Sequence, residues 1–484
     1  MARTLAGVHA GTMRPRADAV ALGVTLALAG CTRIPPRPGF DAVSELVSAR
    51  SPGRTIEWNQ GTPEDEEAAR HVQELLAGEL DLDAAIQIAL LNNRSLQAVY
   101  AQLGIAQADL VQAGLLQNPI LSAQVTIPTP AGLFTGAAVG FVQEIVSILQ
   151  MPLKKRIAGA AFEEAKLTVS AAVIDLVTAV KRAFYRAQGA EQLLELRRSV
   201  VEATALSADV ARRQHDAGNI NDLDLSGELA LAEQANADLA RTQIEVAEDR
   251  EELTAIMGLS GPATEWRIAP RLPELPHDDG MPDDLETLAI TQRLDLAAAQ
   301  ERVHRLLLAR DLSRRSRFLP TAGLGIAAQR EVDDGAWSIG PALELPIPLF
   351  DQGQAAVASQ SAQARQGEDQ RAALAVAIRS QVRRARTKMQ QGRALAEHYR
   401  TVLVPLRERI IRQTQLQYNA MLAGVFQLLA AKRDEIDAGR GLIESLRDYW
   451  VARTDLESAV GGELPADTSS AAAVEPTHDR QYGG

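Results

Sequence analysis

The chain is written twice. Landmarks in a unit running from about Leu80 to Gly258 recur roughly two hundred positions later, in a unit running from about Leu285 to Gly461. Asn118-Pro119 answers Leu319-Pro320, and Glu144-Ile145 answers Glu344-Leu345. Val180-Lys181-Arg182-Ala183 answers Val382-Arg383-Arg384-Ala385, and Ala255-Ile256-Met257-Gly258 answers Ser458-Ala459-Val460-Gly461. A repeat of about 20–50 residues would mean a solenoid of many small units. A unit this long, used once over, means two pseudo-equivalent halves in one body.

Within each half the hydrophobic period changes in the same order. From Leu82 to about Gln117 apolar residues recur at helical spacing (Ile86, Leu90, Leu91, Leu96, Tyr100, Leu103, Leu110). Asn118-Pro119 ends that run, because a residue before proline is pushed out of the helical region. Leu121, Ala123, Val125 and Ile127 then alternate with Ser122, Gln124 and Thr126, the two-residue period of a half-buried strand. Pro128 to Gly132 makes a turn, and Val139 to Leu149 is expected to return as a second strand. Pro152 suits the first turn of a helix and is expected to open one that reaches Ala217, with Val173, Leu176, Val177, Val180 and Phe184 as its apolar stripe. Gly218 to Asp222 interrupts it, with Asn221 or Asp222 placed to cap a returning helix from Leu223 to Met257.

The second half repeats this order. A helix reaches Phe318, and a strand carries Ala322, Leu324, Ile326 and Ala328. Asp333-Asp334-Gly335 makes the turn, and Trp337, Ile339, Leu343, Leu345 and Ile347 mark a return strand. Asp351 is expected to cap the next long helix, which breaks near Met421 to Gly424 before a final helix to about Val460.

The ends and the middle read as connecting segments. Residues 1–30 have the layout of a secretory signal: Arg3, Arg14 and Arg16, then an apolar run from Ala19 to Leu28, then small residues. Met13 is an alternative start. Leu28-Ala29-Gly30-Cys31 resembles the bacterial lipobox, which implies that Cys31 carries lipid, palmitate included, and becomes the mature N-terminus. Thr32 in place of Asp favours the outer membrane by the same resemblance. Residues 31–79, Pro-rich and then acidic, read as a tether wrapping the outside of the body. Residues 259–284, between repeats 80–258 and 285–461, form a proline-rich linker, and 462–484 form a small, polar, disordered tail.

Length turns this pattern into a class of function. Pro152 to Ala217 is about 66 residues, a rod of roughly 100 Å at about 1.5 Å per residue. Compact domains do not use such helices, and aromatic residues are only 4% of the chain, which suits long helices packed closely through alanine. Beyond the signal no apolar run is long enough for a membrane helix, so a membrane crossing would have to be a closed barrel of strands. Two hairpins per chain leave open edges. Three chains would supply about twelve strands, and a trimer is the simplest closure. The net charge of −12 argues against a nucleic-acid partner.

Particular stretches carry a closer resemblance. Leu82-Asp83-Ala84-Ala85-Ile86-Gln87-Ile88-Ala89-Leu90 and Asn92-Asn93-Arg94-Ser95-Leu96 resemble the TolC family of outer-membrane efflux channels. So do Ala217 to Leu225 and Tyr418 to Leu429, together with the duplicated order behind a lipobox. The resemblance covers nearly the whole mature chain. It implies a mainly α fold with a small membrane β part: an internally duplicated α-barrel of long helices, with four strands per chain contributing to a trimeric twelve-stranded transmembrane β-barrel. It implies an outer-membrane, lipid-anchored homotrimer extending into the periplasm, docking a periplasmic adaptor (membrane fusion) protein and an inner-membrane pump of resistance-nodulation-division type. The stretch from Tyr418 to Leu429 looks most like branches that serve copper and other heavy-metal pumps, so metal ions are favoured over organic drugs as cargo.

The resemblance also suggests where function sits. Family channels close at the periplasmic tip, where acidic rings select cations, which makes Asp222 and Asp224 gate candidates; Asp222 as a cap and Asp224 as a solvated charge are the plainer readings. A ring of carboxylates concentrates cations and invites divalent block. Gln427 and Ala430 stand where many relatives carry aspartate, and Arg412 and Tyr418 are candidates for contacts that lock the gate. In the strands, Glu344 falls on the face opposite Trp337 and Leu343, so it and its counterpart Glu144 are lumen candidates. Trp337 fits an interfacial aromatic belt.

Catalysis has no foothold in the sequence. The histidines are scattered, Cys31 is the only cysteine, and no pair sits at metal-ligand spacing. No cofactor or metal is expected and the chain reads as a non-enzyme. Two other readings remain: a lipid-anchored periplasmic coiled-coil adaptor or scaffold without a pore, and a channel of the same family for type I protein secretion.

Overall fold

The computed structural model describes residues 34–126, 136–269, 271–330 and 336–464. The lipobox with Cys31, the hairpin turns at Pro128 to Gly132 and Asp333 to Gly335, and the C-terminal tail from 465 lie outside the described residues.

The first half contains α3 (Leu82–Asn92), α4 (Arg94–Ala113), strands β2 (Ile120–Thr126) and β3 (Gly136–Glu144), and the helices α5 (Val146–Asp216) and α6 (Asp222–Met257). It is preceded by α1 (Phe40–Ser48), α2 (Pro63–Leu76) and β1 (Glu79–Leu80), and followed by β4 (Arg267–Ile268). The second half repeats the order with α7 (Leu285–Gln292), α8 (Leu294–Ser316), β5 (Gly323–Arg330), β6 (Trp337–Glu344), α9 (Gln354–His398), a π turn (Tyr399–Leu403), α10 (Val404–Asn419) and α11 (Val425–Val460). At 71 residues, α5 is roughly 105 Å long. No helix among the described residues is long and apolar enough to cross a membrane.

Each half has its own core. In the first, the short helix α3 is buried on every side from Ala85 to Leu91, and Ile86, Ile88 and Leu90 share a core with Val169, Val173 and Val180 of α5. In the second, Leu285 and Ala289 of α7 meet Ile378, Val382 and Met389 of α9 and Tyr449 and Leu456 of α11. Leu446 and Trp450 of α11 touch both cores and join the halves. Away from these cores the long helices bury little; α10 has no buried residue. Helices that hide so few side chains within one chain need neighbours to form a stable body.

Several expectations are corrected by the structure. The return strand of the first half stops at Glu144, not Leu149, and α5 starts before Pro152, which lies inside the helix. The reason is Glu144: its carboxylate accepts hydrogen bonds from the backbone N–H groups of Val146 (3.0 Å) and Ser147 (2.7 Å), capping the helix six residues ahead of the proline. Asp351 does not cap α9. It accepts from the N–H of Gly353 (2.8 Å), and the helix begins beyond that turn at Gln354. The single helix expected from Leu82 to Gln117 is two, because Asn93 leaves helical geometry and caps α4 through the N–H of Leu96 (2.9 Å). Arg293 makes the matching break in the second half, between α7 and α8.

The segment expected to be a tether is more than that. Phe40, Val43, Val47, Ile56 and Trp58 belong to the first core, and Phe40 meets the buried ring of Tyr100 edge-on at 5.2 Å. The short parallel pairing of β1 with β4 then ties this segment to the linker.

Candidate functional site

Two places carry the chemistry of this chain: a four-stranded sheet at one end of the long helices and two helix-to-helix tips. The sheet runs β2-β3-β5-β6, every neighbour antiparallel, with the two hairpins joined along β3 and β5. The register sorts its side chains into two faces, because residues paired across strands share a side. One face carries Leu121, Ala123 and Val125, then Ala137, Val139, Phe141 and Gln143, then Leu324, Ile326, Ala328 and Arg330, then Trp337, Ile339, Pro341 and Leu343. The other carries Ile120, Ser122, Gln124 and Thr126, then Gly136, Ala138, Gly140, Val142 and Glu144, then Gly323, Gly325, Ala327 and Gln329, then Ser338, Gly340, Ala342 and Glu344.

Nothing among the described residues covers the apolar face. Leu121 is 71% exposed, Ile326 60% and Ile339 74%. The facing set is small enough to let the sheet curl: a Cβ on Gly140 would lie 2.7 Å from Ser122 Oγ. The outer edges of β2 and β6 have no strand partner among the described residues. A sheet mainly apolar on one side, mainly small and polar on the other, and open at both edges has the make-up of a barrel-wall segment.

The two glutamates lie on the small face, level with one another, since Glu144 pairs with Gly323 and Gly323 with Glu344. Both line a recess of about 530 Å³ at the helix end of the sheet. Their states differ. Besides capping α5, Glu144 Oε1 accepts from the N–H of Ala322 (3.1 Å), so this carboxylate ties the first hairpin to the second. Glu344 is exposed. Trp337, 54% exposed, stands on the apolar face at the turn end of β6.

At the tips the two halves use one backbone device with different residues. After α5, the N–H of Gly218 donates to the carbonyl of His215 (2.8 Å) and that of Asn219 to Gln214 (2.8 Å). After α10, Met421 donates to Tyr418 (2.9 Å) and Leu422 to Gln417 (2.8 Å). This is a Schellman ending, which needs a left-handed residue; Gly218 has φ 73° and Met421 has φ 59°. The next helix is then capped in complementary ways. Asn221 Oδ1 accepts from the N–H of Asp224 (2.9 Å), whereas Gln427 Oε1 reaches back to the N–H of Gly424 (3.2 Å). These are the two halves of a capping box.

The structure thus gives each gate candidate a position. Asn221, not Asp222, caps α6; Asp222 Oδ1 instead meets His215 Nε2 at 2.7 Å across the tip. Asp224 is exposed in the first turn of α6, where the helix dipole favours a negative charge. Gln427 serves the second cap. Arg412 faces Glu408 one turn back on its own helix at 3.9 Å, and Tyr418 is exposed; no hydrogen bond or ion pair joins either to the first tip among the described residues. The His215–Asp222 pair was not anticipated. Its signal was a histidine and an aspartate flanking a glycine turn, at positions where the second tip has Tyr418 and Val425.

A crevice of about 300 Å³ separates α5, α6 and α11 above the tips, with Val200, Leu231 and Leu429 among its walls and Arg197 and Asp238 3.8 Å apart. Among the described residues no group of three or more His, Cys, Asp or Glu side chains could hold a metal ion.

This geometry has counterparts. No family model matches the chain. It is 24% identical over 391 residues to the cobalt-zinc-cadmium resistance protein CzcC of Cupriavidus metallidurans, covering 80% of this chain and 91% of that protein. The CmeC outer membrane channel of Campylobacter jejuni superposes with a TM-score of 0.68 at 13% identity, covering 87% of this chain and 92% of that one. The outer membrane protein VceC of Vibrio cholerae gives 0.65 at 18% identity, covering 79% and 97%. The chain has the fold of the TolC-family outer-membrane channels that its sequence resembles.

Proposed function

We propose that this chain is the outer-membrane exit duct of a tripartite efflux system, passing substrate out of the cell from an inner-membrane pump through a periplasmic adaptor. The observation that carries the reading is the two-faced, open-edged sheet set on helices of up to 71 residues. Alone it would expose its apolar face and both edges to water. Three copies joined β6 to β2 make a twelve-stranded antiparallel barrel with the apolar face in lipid and the small face around a lumen. The same union gathers the long helices into a tube. Residues 80–258 and 285–461 are then the two structural repeats of each subunit, and Cys31 is the site of its lipid anchor.

The chain acts as a conduit and not as an enzyme. Its partners are two further copies, an adaptor protein and a pump of resistance-nodulation-division type. Similarity to a protein named for cobalt, zinc and cadmium resistance supports divalent metal ions as cargo over organic drugs. Asp222 and Asp224 belong to the tip gate, with Arg412, Tyr418 and Gln427 in its second half; Glu344 faces the lumen, and Trp337 the membrane interface. A periplasmic scaffold without a pore would have no use for the exposed apolar sheet face.

The test is growth of a deletion strain on cobalt, zinc, cadmium, copper, dyes and hydrophobic antibiotics, with complementation by the wild type and by Cys31→Ala. Selective metal sensitivity rescued by the wild type supports the reading. Sensitivity to dyes and antibiotics alone refutes the cargo and keeps the duct, and no sensitivity with no membrane-embedded protein refutes the duct.

A further inference from the structure

The four junctions between strands and helices share a feature that the channel reading does not use. Each carries exposed apolar residues: Leu115 and Leu116 before β2, Ile148 and Leu149 after β3, Phe318 and Leu319 before β5, and Leu349 and Phe350 after β6. Leu149 is 79% exposed and Phe350 94%. They extend the apolar face of the sheet toward the helices and set the level at which hydrocarbon ends on that side.

Just beyond that level lies a concentration of positive charge in a chain whose net charge is −12. On α5 it is Lys154, Lys155 and Arg156; on α8 it is Arg314 and Arg315, followed by Arg317. The two helices are antiparallel neighbours whose register is set by two contacts. Gln150 Nε2 donates to the carbonyl of Pro320 (3.3 Å), and Arg305 Nε to Glu164 Oε2 (2.9 Å). Counting inward from each contact puts Lys155 and Arg156 level with Arg315 and Arg314. All four are exposed, and no ion pair reaches any of them among the described residues. Most acids nearby are engaged elsewhere, Asp311 with Arg310, Glu164 with Arg305, Glu163 with Lys166 and Asp351 with the N–H of Gly353; Asp109 of α4 is exposed and makes no ion pair with the four cations among the described residues. Cations gathered at one level on adjacent helices repel, and an anion from outside the chain relieves that repulsion.

We propose that Lys155, Arg156, Arg314 and Arg315 bind the anionic phosphodiester headgroups of phospholipids in the periplasmic leaflet of the outer membrane. The inference rests on the channel reading, which places the sheet in that membrane. The height fits. Leu149 and Lys155 are six residues apart on one helix, about 9 Å at ~1.5 Å per residue. The polar layer on each side of the hydrocarbon is about 5–8 Å thick, and long basic side chains reach back toward it. In a trimer the set recurs three times around the base of the barrel. Basic clusters of this kind beside a membrane select anionic lipid.

The experiment reconstitutes the full chain into vesicles of phosphatidylcholine with a small fraction of phosphatidylglycerol, and measures immobilisation of spin-labelled phosphatidylglycerol against spin-labelled phosphatidylcholine. The wild type is expected to favour phosphatidylglycerol by roughly tenfold, an advantage reduced by salt. The variant carrying Lys155→Gln, Arg156→Gln, Arg314→Gln and Arg315→Gln is expected to lose that preference. If the fourfold variant does not fold, the pair Arg314→Gln and Arg315→Gln is expected to lose about half of it on a logarithmic scale. Equal immobilisation of both lipids by the wild type, or a variant that keeps its preference, overturns the proposal. So does a preference abolished by millimolar inorganic phosphate at constant ionic strength, which would mark a free-phosphate site. A chain that fails to enter the vesicles at all refutes the channel reading itself, and flotation separates that outcome from the others.

Discussion

Asp279 offers the sharpest test of how the halves are held together. It lies in the linker with its carboxylate 8% exposed, and Oδ1 receives Arg393 Nη1 at 2.5 Å and the Tyr449 hydroxyl at 2.6 Å, with Arg453 Nη1 at 3.7 Å. One side chain thereby straps the linker to α9 and α11. Asp279→Ala leaves Arg453, itself 7% exposed, without its linker counter-charge. Removing one partner of a buried charge pair costs about 3–5 kcal/mol. The low end applies, because Arg453 keeps Glu457 at 3.6 Å and Arg393 keeps the carbonyls of Pro276 (2.7 Å) and His277 (3.0 Å). We expect a loss of about 3 kcal/mol in urea unfolding of the detergent-solubilised chain, followed by far-ultraviolet circular dichroism. Tyr449→Phe, which removes one hydrogen bond to a charged group, is expected to cost about 2 kcal/mol. The double variant should cost less than the sum, since the two share one interaction. A loss below about 1 kcal/mol for Asp279→Ala, or strict additivity, would refute the strap.

Burial, and next the hydrogen bond to Asp279, push the Tyr449 phenol up from 10 to about 12. Because the unfolded chain gives up this proton first, its contribution to stability is intact below pH 10 and is lost as pH rises toward 12. Absorbance titration of the wild type against Tyr449→Phe checks this, and a phenol ionising with the bulk of the tyrosines contradicts it. Gly218→Ala, at φ 73°, is expected to loosen the first tip by about 1 kcal/mol, read as faster amide exchange around Asn219. Met421→Gly at the second tip should stabilise by about 0.5 kcal/mol, because relief of the left-handed strain is partly offset by glycine's entropy. Asp224→Asn is expected to lower the cation-over-anion permeability ratio several-fold in planar bilayers; an unchanged ratio removes Asp224 from the conducting path.

Most of the architecture could be read without coordinates because it is written in local signals. Alternation at Leu121 to Thr126 and at Trp337 to Leu345 marks the strands, and the breaks at Gly218 and Met421 mark the tips. What could not be read depends on contacts between distant segments. Pro152 looks like a helix start until Glu144 is seen closing the helix earlier, and Glu144 can do so partly because β3 lies beside Ala322. Phe40 and Trp58 look like part of a loose tether until Tyr100 is placed beside them. Arg293 carries no turn signature, yet it leaves helical geometry where its guanidinium binds Asp295 (2.6 Å) and Gln381 (2.9 Å), the second a contact between distant segments. The π turn at Tyr399 to Leu403 precedes Pro405, whose missing N–H disturbs the helical ladder there. At the tips the sequence located the candidates but not their partners: the His215–Asp222 contact depends on how the chain reverses at Gly218.

The central claim is that one face of the sheet meets lipid and the other meets water. Cys31 is the only native cysteine, so single cysteines can be placed at Phe141, Ile326 and Ile339 on one face and at Ser122, Gln329 and Ser338 on the other, in a chain whose Cys31 is lipidated or replaced. Each is labelled with a fluorophore in vesicles and exposed in turn to brominated lipid and to iodide. The first set is expected to be quenched by the lipid and shielded from iodide, and the second set the reverse. Iodide quenching of both sets alike would contradict the account, because the sheet would then stand in water on both sides and could not be the wall of a membrane channel.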